Sequence, residues 1–159
     1  MATIPKPVFI YGTLCAKPLL AWALTGDATK TEEISALLRP AKVENIARYA
    51  LHGLDFPAAI REPGSCTDGY LFQPKTCSQR KKLDDFEGEV YQNETVQARL
   101  SSDESGNTAS LIEADIYLWN GDKDLVSDKS WDLDWFVRER LEDWIGLFEG
   151  MEMVGDDSS

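Results

Sequence analysis

The sequence predicts a single mixed α/β domain, in which short strands form a curved sheet and helices flank it. The run Val8–Tyr11 is β-branched and aromatic and stops at Gly12, which indicates a buried strand that ends in a loop. From residue 34 to residue 60, apolar residues come in brief groups broken by proline and glycine, a pattern typical of consecutive strands. Near the C-terminus, apolar side chains recur every three or four positions, which predicts one amphipathic helix over Leu133–Phe148.

The composition restricts the partners and the compartment. The 159 residues, 43% of them hydrophobic, suffice to bury one core without disulfides or metal ions. A formal charge of −12 repels phosphate backbones and anionic lipid headgroups, so we expect neither nucleic acid nor a membrane as partner. The first residues lack a cleavable apolar core and no later apolar run is long enough to span a bilayer, so we expect a cytoplasmic protein. Cys15, Cys66 and Cys77 lack metal-ligand spacing, which predicts free thiols.

Two further helices are predicted from spacing and terminators. Pro18–Leu24 carries apolar residues on a helical period and is followed by Gly26, a typical helix stop. Cys77–Phe86 is charged, with two apolar residues at helical spacing, and Gly88 is its expected terminator. Glu87 is therefore expected at the end of this helix.

The remaining strands are predicted as two hairpins. Glu62–Ser65 contains proline and glycine in turn order, so its flanks, including the strand Asp68–Phe72, are expected to pair with each other. Thr95–Leu100 and Ala109–Trp119 are expected to form a second hairpin across a polar connection. Gly155–Ser159 is predicted to be a disordered tail.

The run Tyr11-Gly12-Thr13-Leu14 is the first candidate for a functional site. Gly12 has no Cβ, so a ligand can approach its backbone closely. The amide N–H groups that follow can converge on a carboxylate or on a developing oxyanion. A buried strand can also end at glycine without any function, and the run by itself does not separate these two interpretations.

Glu87 is the second candidate. Acidic groups near a helix C-terminus are unfavourable because of the helix dipole, so this placement needs a reason. If Glu87 points inward beside Phe86, burial and the charges of Asp84, Asp85 and Glu89 raise its pKa toward that of a useful base. The sequence therefore favours Glu87 as a general base.

A thiol mechanism is an open alternative. His52 is the sole histidine, so a Cys-His hydrolase would have to pair it with Cys15. A zinc hydrolase without thiolate clusters usually takes two or three imidazoles, and the chain cannot supply them. We therefore expect neither a metal nor another cofactor.

Both candidate segments match one family pattern. Phe9–Leu14 and Leu83–Gly88, followed by Tyr91, resemble the γ-glutamylcyclotransferase-like superfamily, and the AIG2-like family in particular. The resemblance continues through Phe56–Ile60 and the strand Ala114–Trp119, so it covers most of the chain.

The resemblance implies a small curved β-barrel with flanking helices, formed as a single domain by residues 1–154. It implies Glu87 as the catalytic acid and base. It also implies a substrate-binding set consisting of Tyr11, Gly12, Thr13, Leu14, Cys15, Ala16 and Tyr91. We expect no cofactor, and a monomer or weak dimer whose partner is a small γ-glutamyl substrate.

One position departs from the family pattern. Many relatives have Tyr-x-Arg where this chain has Tyr91-Gln92-Asn93, so a cationic partner is missing from that position. Arg99 or Arg61 are the candidates to replace it. The exact γ-glutamyl substrate therefore stays open.

The activity that the resemblance implies is a ring closure. The α-amine of the substrate would attack its own γ-carbonyl, form 5-oxoproline and release the amine formerly in amide linkage. The alternative is a non-catalytic small-molecule-binding or stress-response protein that retains the pocket. Turnover, rather than affinity, separates the two.

Overall fold

The computed structural model describes residues 6–87, 91–100 and 111–149. The strands are β1 Val8–Ile10, β2 Leu38–Leu51, β3 Pro57–Phe72, β4 Tyr91–Leu100, β5 Leu111–Trp119 and β6 Val126–Ser130. The helices are α1 Lys17–Thr25, α2 Thr31–Ser35, α3 Cys77–Glu87, α4 Leu133–Glu139 and α5 Leu141–Glu149, with short 3₁₀ turns at Thr13–Cys15 and Lys123–Leu125.

Five of the strands close into a barrel. They follow the order β3, β1, β5, β4 and β2, and pairing between β2 and β3 closes the ring. The β1–β5 pair is parallel and the other pairs are antiparallel, while β6 adds to β2. The predicted fold, a small curved barrel with flanking helices, is confirmed.

The short strand β1 is buried on both faces, because successive side chains point to opposite sides of a strand. Phe9 packs inside the barrel with Val43 and Ile116. Val8 and Ile10 face the helices, in a second cluster that includes Leu19, Leu20, Phe72, Leu83 and Phe136. The loop after β1 therefore begins in the middle of the core.

The predicted hairpin around Glu62–Ser65 is wrong. β3 is one strand of 16 residues, and β2 pairs with it on both sides of this segment. The segment is a bulge, in which Asn45 at φ 64° and Gly64 at φ 87° face each other. The amide N–H of Gly64 donates to Asn45 Oδ1 at 3.1 Å. Pro63 and Gly64 bend the strand locally, but β3 does not reverse direction, because β2 pairs with it both before and after the bend.

The predictions for α1 and α3 are confirmed. Gly26 ends α1 in the left-handed conformation at φ 80°, and its amide N–H donates to the Trp22 carbonyl at 2.8 Å. The last residue of α3 is Glu87, and its expected terminator Gly88 lies outside the described residues. The β4–β5 hairpin is also confirmed, whereas its connection and the expected tail lie outside the described part of the chain.

The prediction of a single C-terminal helix is wrong, because the structure has two helices, α4 and α5, that are separated at Arg140. That residue takes a non-helical φ of −125°, and its Nε lies 2.8 Å from Asp55 Oδ2. Trp144 Nε1 donates to the same carboxylate oxygen, also at 2.8 Å. Val137, expected on the buried face, is 41% exposed. Within the described residues, no helix has both the length and the apolar content needed to cross a membrane.

Candidate active site

Hydrogen bonds with β2 and with β5 hold Tyr11, the first residue of the Tyr11–Leu14 loop. Arg48 Nη1 donates to the Tyr11 carbonyl at 2.8 Å, and the Tyr11 hydroxyl donates to the carbonyl of Tyr117. Within the loop, the amide of Cys15 donates to the Gly12 carbonyl at 2.9 Å, and the amide of Ala16 donates to Thr13 at 3.0 Å. The Cys15 and Ala16 amides thus serve to hold the 3₁₀ turn.

Gly12 is packed against the first residue of β3. A Cβ on Gly12 would lie 2.9 Å from Pro57 Cγ and 3.1 Å from Pro57 Cδ, closer than ordinary van der Waals contact. The space predicted for an approaching ligand is therefore occupied, at this atom, by the proline ring. Glycine is required here for packing.

A small cavity lies beside the loop, and we call it the loop cavity. Its volume is about 10 Å³, which is room for roughly one water molecule. Within the described part of the chain, its lining is formed by Ile10, Tyr11, Gly12, Thr13, Leu14, Phe56, Pro57, Tyr91 and Tyr117. Tyr91, predicted to belong to the substrate-binding set, donates from its hydroxyl to the Pro57 carbonyl at 2.6 Å.

Two members of the predicted set lie behind the loop cavity. Cys15 is 7% exposed and Ala16 is 3% exposed, and both belong to the helix-facing core. The Cys15 thiol donates to the Ile10 carbonyl at 3.4 Å. His52 is exposed in the turn between β2 and β3. Cys15 and His52 therefore occupy very different environments.

Glu87 ends α3, and the helix approaches the loop cavity through its preceding turn. Leu83 is fully buried and Phe86 packs against the same core cluster. The Glu87 side chain lies outside what the structure describes, so its inward direction stays a prediction. Asp84, one turn earlier, accepts from the hydroxyl of the cavity residue Tyr117 at 2.7 Å.

Arg80 is a residue that the sequence analysis missed. Its Nη1 lies 2.7 Å from Asp115 Oδ2 and its Nε lies 3.1 Å from Asp84 Oδ1. Burial by itself lowers the pKa of Arg80, but the hydrogen bonds to Asp115 and Asp84 outweigh it and hold the pKa above the ordinary arginine value. The four-residue spacing of Arg80 and Asp84 on a helix was a readable signal, whereas the contact with Asp115 depends on the fold.

Metal ligands do not gather in the described part of the chain. Among residues whose side chains are described, no group of three or more histidine, cysteine, aspartate or glutamate residues is arranged to hold an ion. Among the described residues, the polar groups beside the loop cavity include the Pro57 carbonyl, the hydroxyls of Tyr91 and Tyr117, and the Asp84 carboxylate.

Comparison with known proteins places this fold and loop in a family. The sequence model of the family described as "Gamma-glutamyl cyclotransferase, AIG2-like" matches residues 8–133. The chain belongs to this family. The matched range includes the Tyr11–Leu14 loop, α3 and Tyr91.

Relatives and solved structures agree with this membership. "AIG2-like protein C" of Arabidopsis thaliana is 23% identical over 138 residues, which are 87% of this chain and 73% of that protein. A solution structure of another Arabidopsis thaliana protein has a TM-score of 0.59 at 19% identity, with 95% of this chain and 84% of that one covered. A yeast γ-glutamyl cyclotransferase specific to glutathione has a TM-score of 0.52 at 12% identity, with 79% and 75% covered. At these identities the likeness to the solved structures concerns the fold.

This member of the AIG2-like family carries a guanidinium beside Asn93, and it comes from α3. Arg80 Nη2 donates to Asn93 Oδ1 at 3.2 Å. The two arginines suggested by sequence are engaged elsewhere, Arg61 with Glu94 at 3.0 Å and Arg99 with Glu44 at 3.0 Å. Neither Arg61 nor Arg99 lines the loop cavity.

Proposed function

We propose that this chain is a cofactor-independent γ-glutamylcyclotransferase that converts a γ-glutamyl amino acid, peptide or amine to 5-oxoproline and the free amine. The observation that supports this best is the convergence of Tyr11–Leu14 and Tyr91 on one cavity. Tyr117, in the same cavity, binds Asp84 one turn before Glu87. Membership of the γ-glutamyl cyclotransferase, AIG2-like family supplies the reaction class.

The proposed reaction is an intramolecular acyl transfer. The α-amine of the substrate forms a C–N bond to its own γ-carbonyl carbon, and the original γ-amide C–N bond breaks. Glu87 accepts the proton that the α-ammonium group loses and delivers a proton to the leaving amine, so no electrons are exchanged with a cofactor. Because both reacting groups belong to one molecule, the protein mainly has to hold them in an attack geometry.

The loop residues have separate roles in this proposal. The amides of Thr13 and Leu14 are the candidates to stabilise the oxyanion or the substrate carboxylate, because those of Cys15 and Ala16 are bonded within the loop. Cys15 and Ala16 then contribute by holding the 3₁₀ turn. Tyr91 contributes an aromatic wall.

Substrate binding requires the loop cavity to widen. A γ-glutamyl group is much larger than one water molecule, whereas the cavity measures about 10 Å³. The Phe56 and Tyr91 rings stand edge to face with centroids 6.4 Å apart, and both are only partly buried. Rotation of these two rings, which for Tyr91 breaks the hydrogen bond to the Pro57 carbonyl, would enlarge the cavity.

The test is product formation. The protein is incubated with γ-glutamyl amino acids, γ-glutamyl amines and glutathione, and 5-oxoproline is measured by mass spectrometry. Glu87→Gln keeps the size of the side chain but removes its basicity, so turnover should fall by roughly a hundredfold or more. The matched control is Glu94→Gln, which changes a half-buried carboxylate that pairs with Arg61 and should retain activity.

Two results would overturn the proposal. A folded Glu87→Gln variant with near-normal 5-oxoproline release would exclude Glu87 as the base. Binding of γ-glutamyl compounds by the unmodified protein without any product would favour the non-catalytic binding protein instead.

A further inference from the structure

The last turn of α3 is held by polar contacts that the proposed reaction does not use. Asp84 Oδ1 accepts from the Tyr117 hydroxyl at 2.7 Å and from Arg80 Nε at 3.1 Å. Asp84 and Glu87 are three residues apart, so they lie on the same side of the helix. Contacts that fix Asp84 therefore also restrict the backbone position of Glu87.

Arg80 joins α3 to two strands of the barrel. On β5 it binds Asp115, with 2.7 Å between Nη1 and Oδ2, and on β4 it donates to Asn93 at 3.2 Å. The Arg80 and Asp115 side chains are 16% and 17% exposed, so water screens their ion pair poorly. Movement of α3 away from β5 would cost Arg80 its shortest ion pair and leave Asp115 with the longer contact to Lys6 at 3.5 Å, so such a movement is unfavourable.

Tyr117 continues the connection to the loop cavity. Its ring lines the cavity and its carbonyl accepts the hydrogen bond from the Tyr11 hydroxyl. Its own hydroxyl reaches Asp84. One buried residue of β5 thus touches the Tyr11–Leu14 loop at its backbone and α3 at its side chain.

We infer that Arg80, Asp84 and Tyr117 are positioning residues that hold the last turn of α3, and with it Glu87, at a fixed place relative to the Tyr11–Leu14 loop. The catalytic consequence rests on the proposed function, because it assumes that Glu87 is the base. The structural part of the inference, that these contacts hold the end of α3 in place, does not depend on the proposed function. A displacement of about 1 Å at a reacting group can cost up to two orders of magnitude in rate, which is why such a connection matters.

The chain offers a matched control for the Tyr117 hydroxyl. The Tyr49 hydroxyl donates to both oxygens of Glu62 at 2.8 Å, in a separate hollow lined by residues of β2 and β3 together with Ser130 and Trp131. Neither Tyr49 nor Glu62 lines the loop cavity. Tyr49→Phe and Tyr117→Phe remove the same atom from the same kind of pair, and only the second lies on the connection to α3.

The first experiment compares these two variants by steady-state kinetics and by hydrogen exchange of peptides that contain residues 83–87. Tyr117→Phe should lower kcat about tenfold with little change in KM and should speed exchange at the helix end. Tyr49→Phe should leave both measurements at the level of the unmodified protein. Equal exchange and equal kcat in the two variants would overturn the inference.

The second experiment removes the guanidinium at position 80 on α3 and introduces one at position 93 on β4. Arg80→Gln removes the connection and should lower kcat more than Tyr117→Phe does. Adding Asn93→Arg should restore part of the lost kcat and slow exchange again, because Asn93 Oδ1 lies 3.2 Å from Arg80 Nη2 and an arginine at position 93 extends toward the same region. A double variant no better than Arg80→Gln, in kcat and in exchange, would mean that the charge does not position the helix.

Failure of the two proposals can be told apart. If the unmodified protein releases no 5-oxoproline, the proposed function fails, and hydrogen exchange alone decides whether these residues hold the helix end. If product forms and depends on Glu87, but Tyr117→Phe matches Tyr49→Phe in kcat and exchange, only the positioning inference fails.

Discussion

Two hollows of this molecule differ in size and in construction. The loop cavity has about 10 Å³ and is walled by aromatic rings, a proline and the backbone of Tyr11–Leu14. A second space, which we call the outer hollow, has about 360 Å³ and is lined by charged, polar and apolar side chains that include Lys42, Arg61 and Leu111. Volume alone would favour the outer hollow as the binding site, whereas the residues of the family motif line the loop cavity. Close packing around the motif, rather than open space, distinguishes the candidate site.

The largest predicted effect tests the tight packing where β3 passes β1, next to the loop. A Cβ on Gly69 would lie 2.2 Å from the carbonyl oxygen of Ile10, and backbone cannot move aside cheaply. We expect Gly69→Ala to lower the free energy of unfolding by about 3 kcal/mol or more, measured by urea denaturation. The control is Gly146→Ala in α5, where a Cβ meets no atom of the described residues within 4 Å. There alanine should raise stability by about 0.5–1 kcal/mol, and equal effects at both glycines would contradict the packing argument.

The next largest effect concerns the loop itself. Gly12→Ala brings a Cβ to 2.9 Å from Pro57 Cγ, so the proline ring or the loop has to shift. We expect a loss of about 1–3 kcal/mol in the free energy of unfolding, together with a fall in 5-oxoproline release. Unchanged stability and activity would show that the loop tolerates this displacement.

The end of α1 was predictable from sequence, whereas features that depend on distant segments were not. Gly26 ends α1 as expected, because a left-handed residue is a local requirement. Glu62–Ser65 has the same local chemistry as a hairpin turn, and only the continuous partner β2 makes it a bulge. Helical spacing runs through Arg140, and the break there coincides with an ion pair to Asp55, a residue far away in sequence.

The candidate site was predictable to a similar extent. The Tyr11–Leu14 loop and Tyr91 were identified from the family pattern, and the fold brings them to one cavity. Arg80 was not identified, because its partners Asp115 and Asn93 come from strands that spacing along the chain cannot align. Pairing between distant segments is decided by the closed barrel as a whole.

A moderate effect is expected at the hydroxyl that closes the loop cavity. Tyr91→Phe removes the donor to the Pro57 carbonyl, a contact of 2.6 Å, and should lower the free energy of unfolding by about 1 kcal/mol. The corresponding change at the outer hollow is Arg61→Gln, which breaks an ion pair whose arginine is 56% exposed. That change should stay within about 0.5 kcal/mol. Thermal unfolding of both variants checks the order, and a larger loss at Arg61 would reverse the contrast between the hollows.

The smallest predicted effect is the loss at acid pH of the stabilisation that Glu62 provides. Hydrogen bonds from the Ser65 and Tyr49 hydroxyls hold the pKa of Glu62 below its ordinary value of 4.5. A carboxylate whose pKa is lower in the folded state stabilises the protein above the unfolded pKa, and this contribution disappears as the pH falls through the folded value. The stability difference between the unmodified protein and Glu62→Gln should therefore be constant near neutral pH and shrink below about pH 4.5, the ordinary value for this carboxyl. Melting temperatures of both proteins across the acid range measure it, and a difference independent of pH would mean that the hydroxyls bind the charged and the neutral carboxyl equally well.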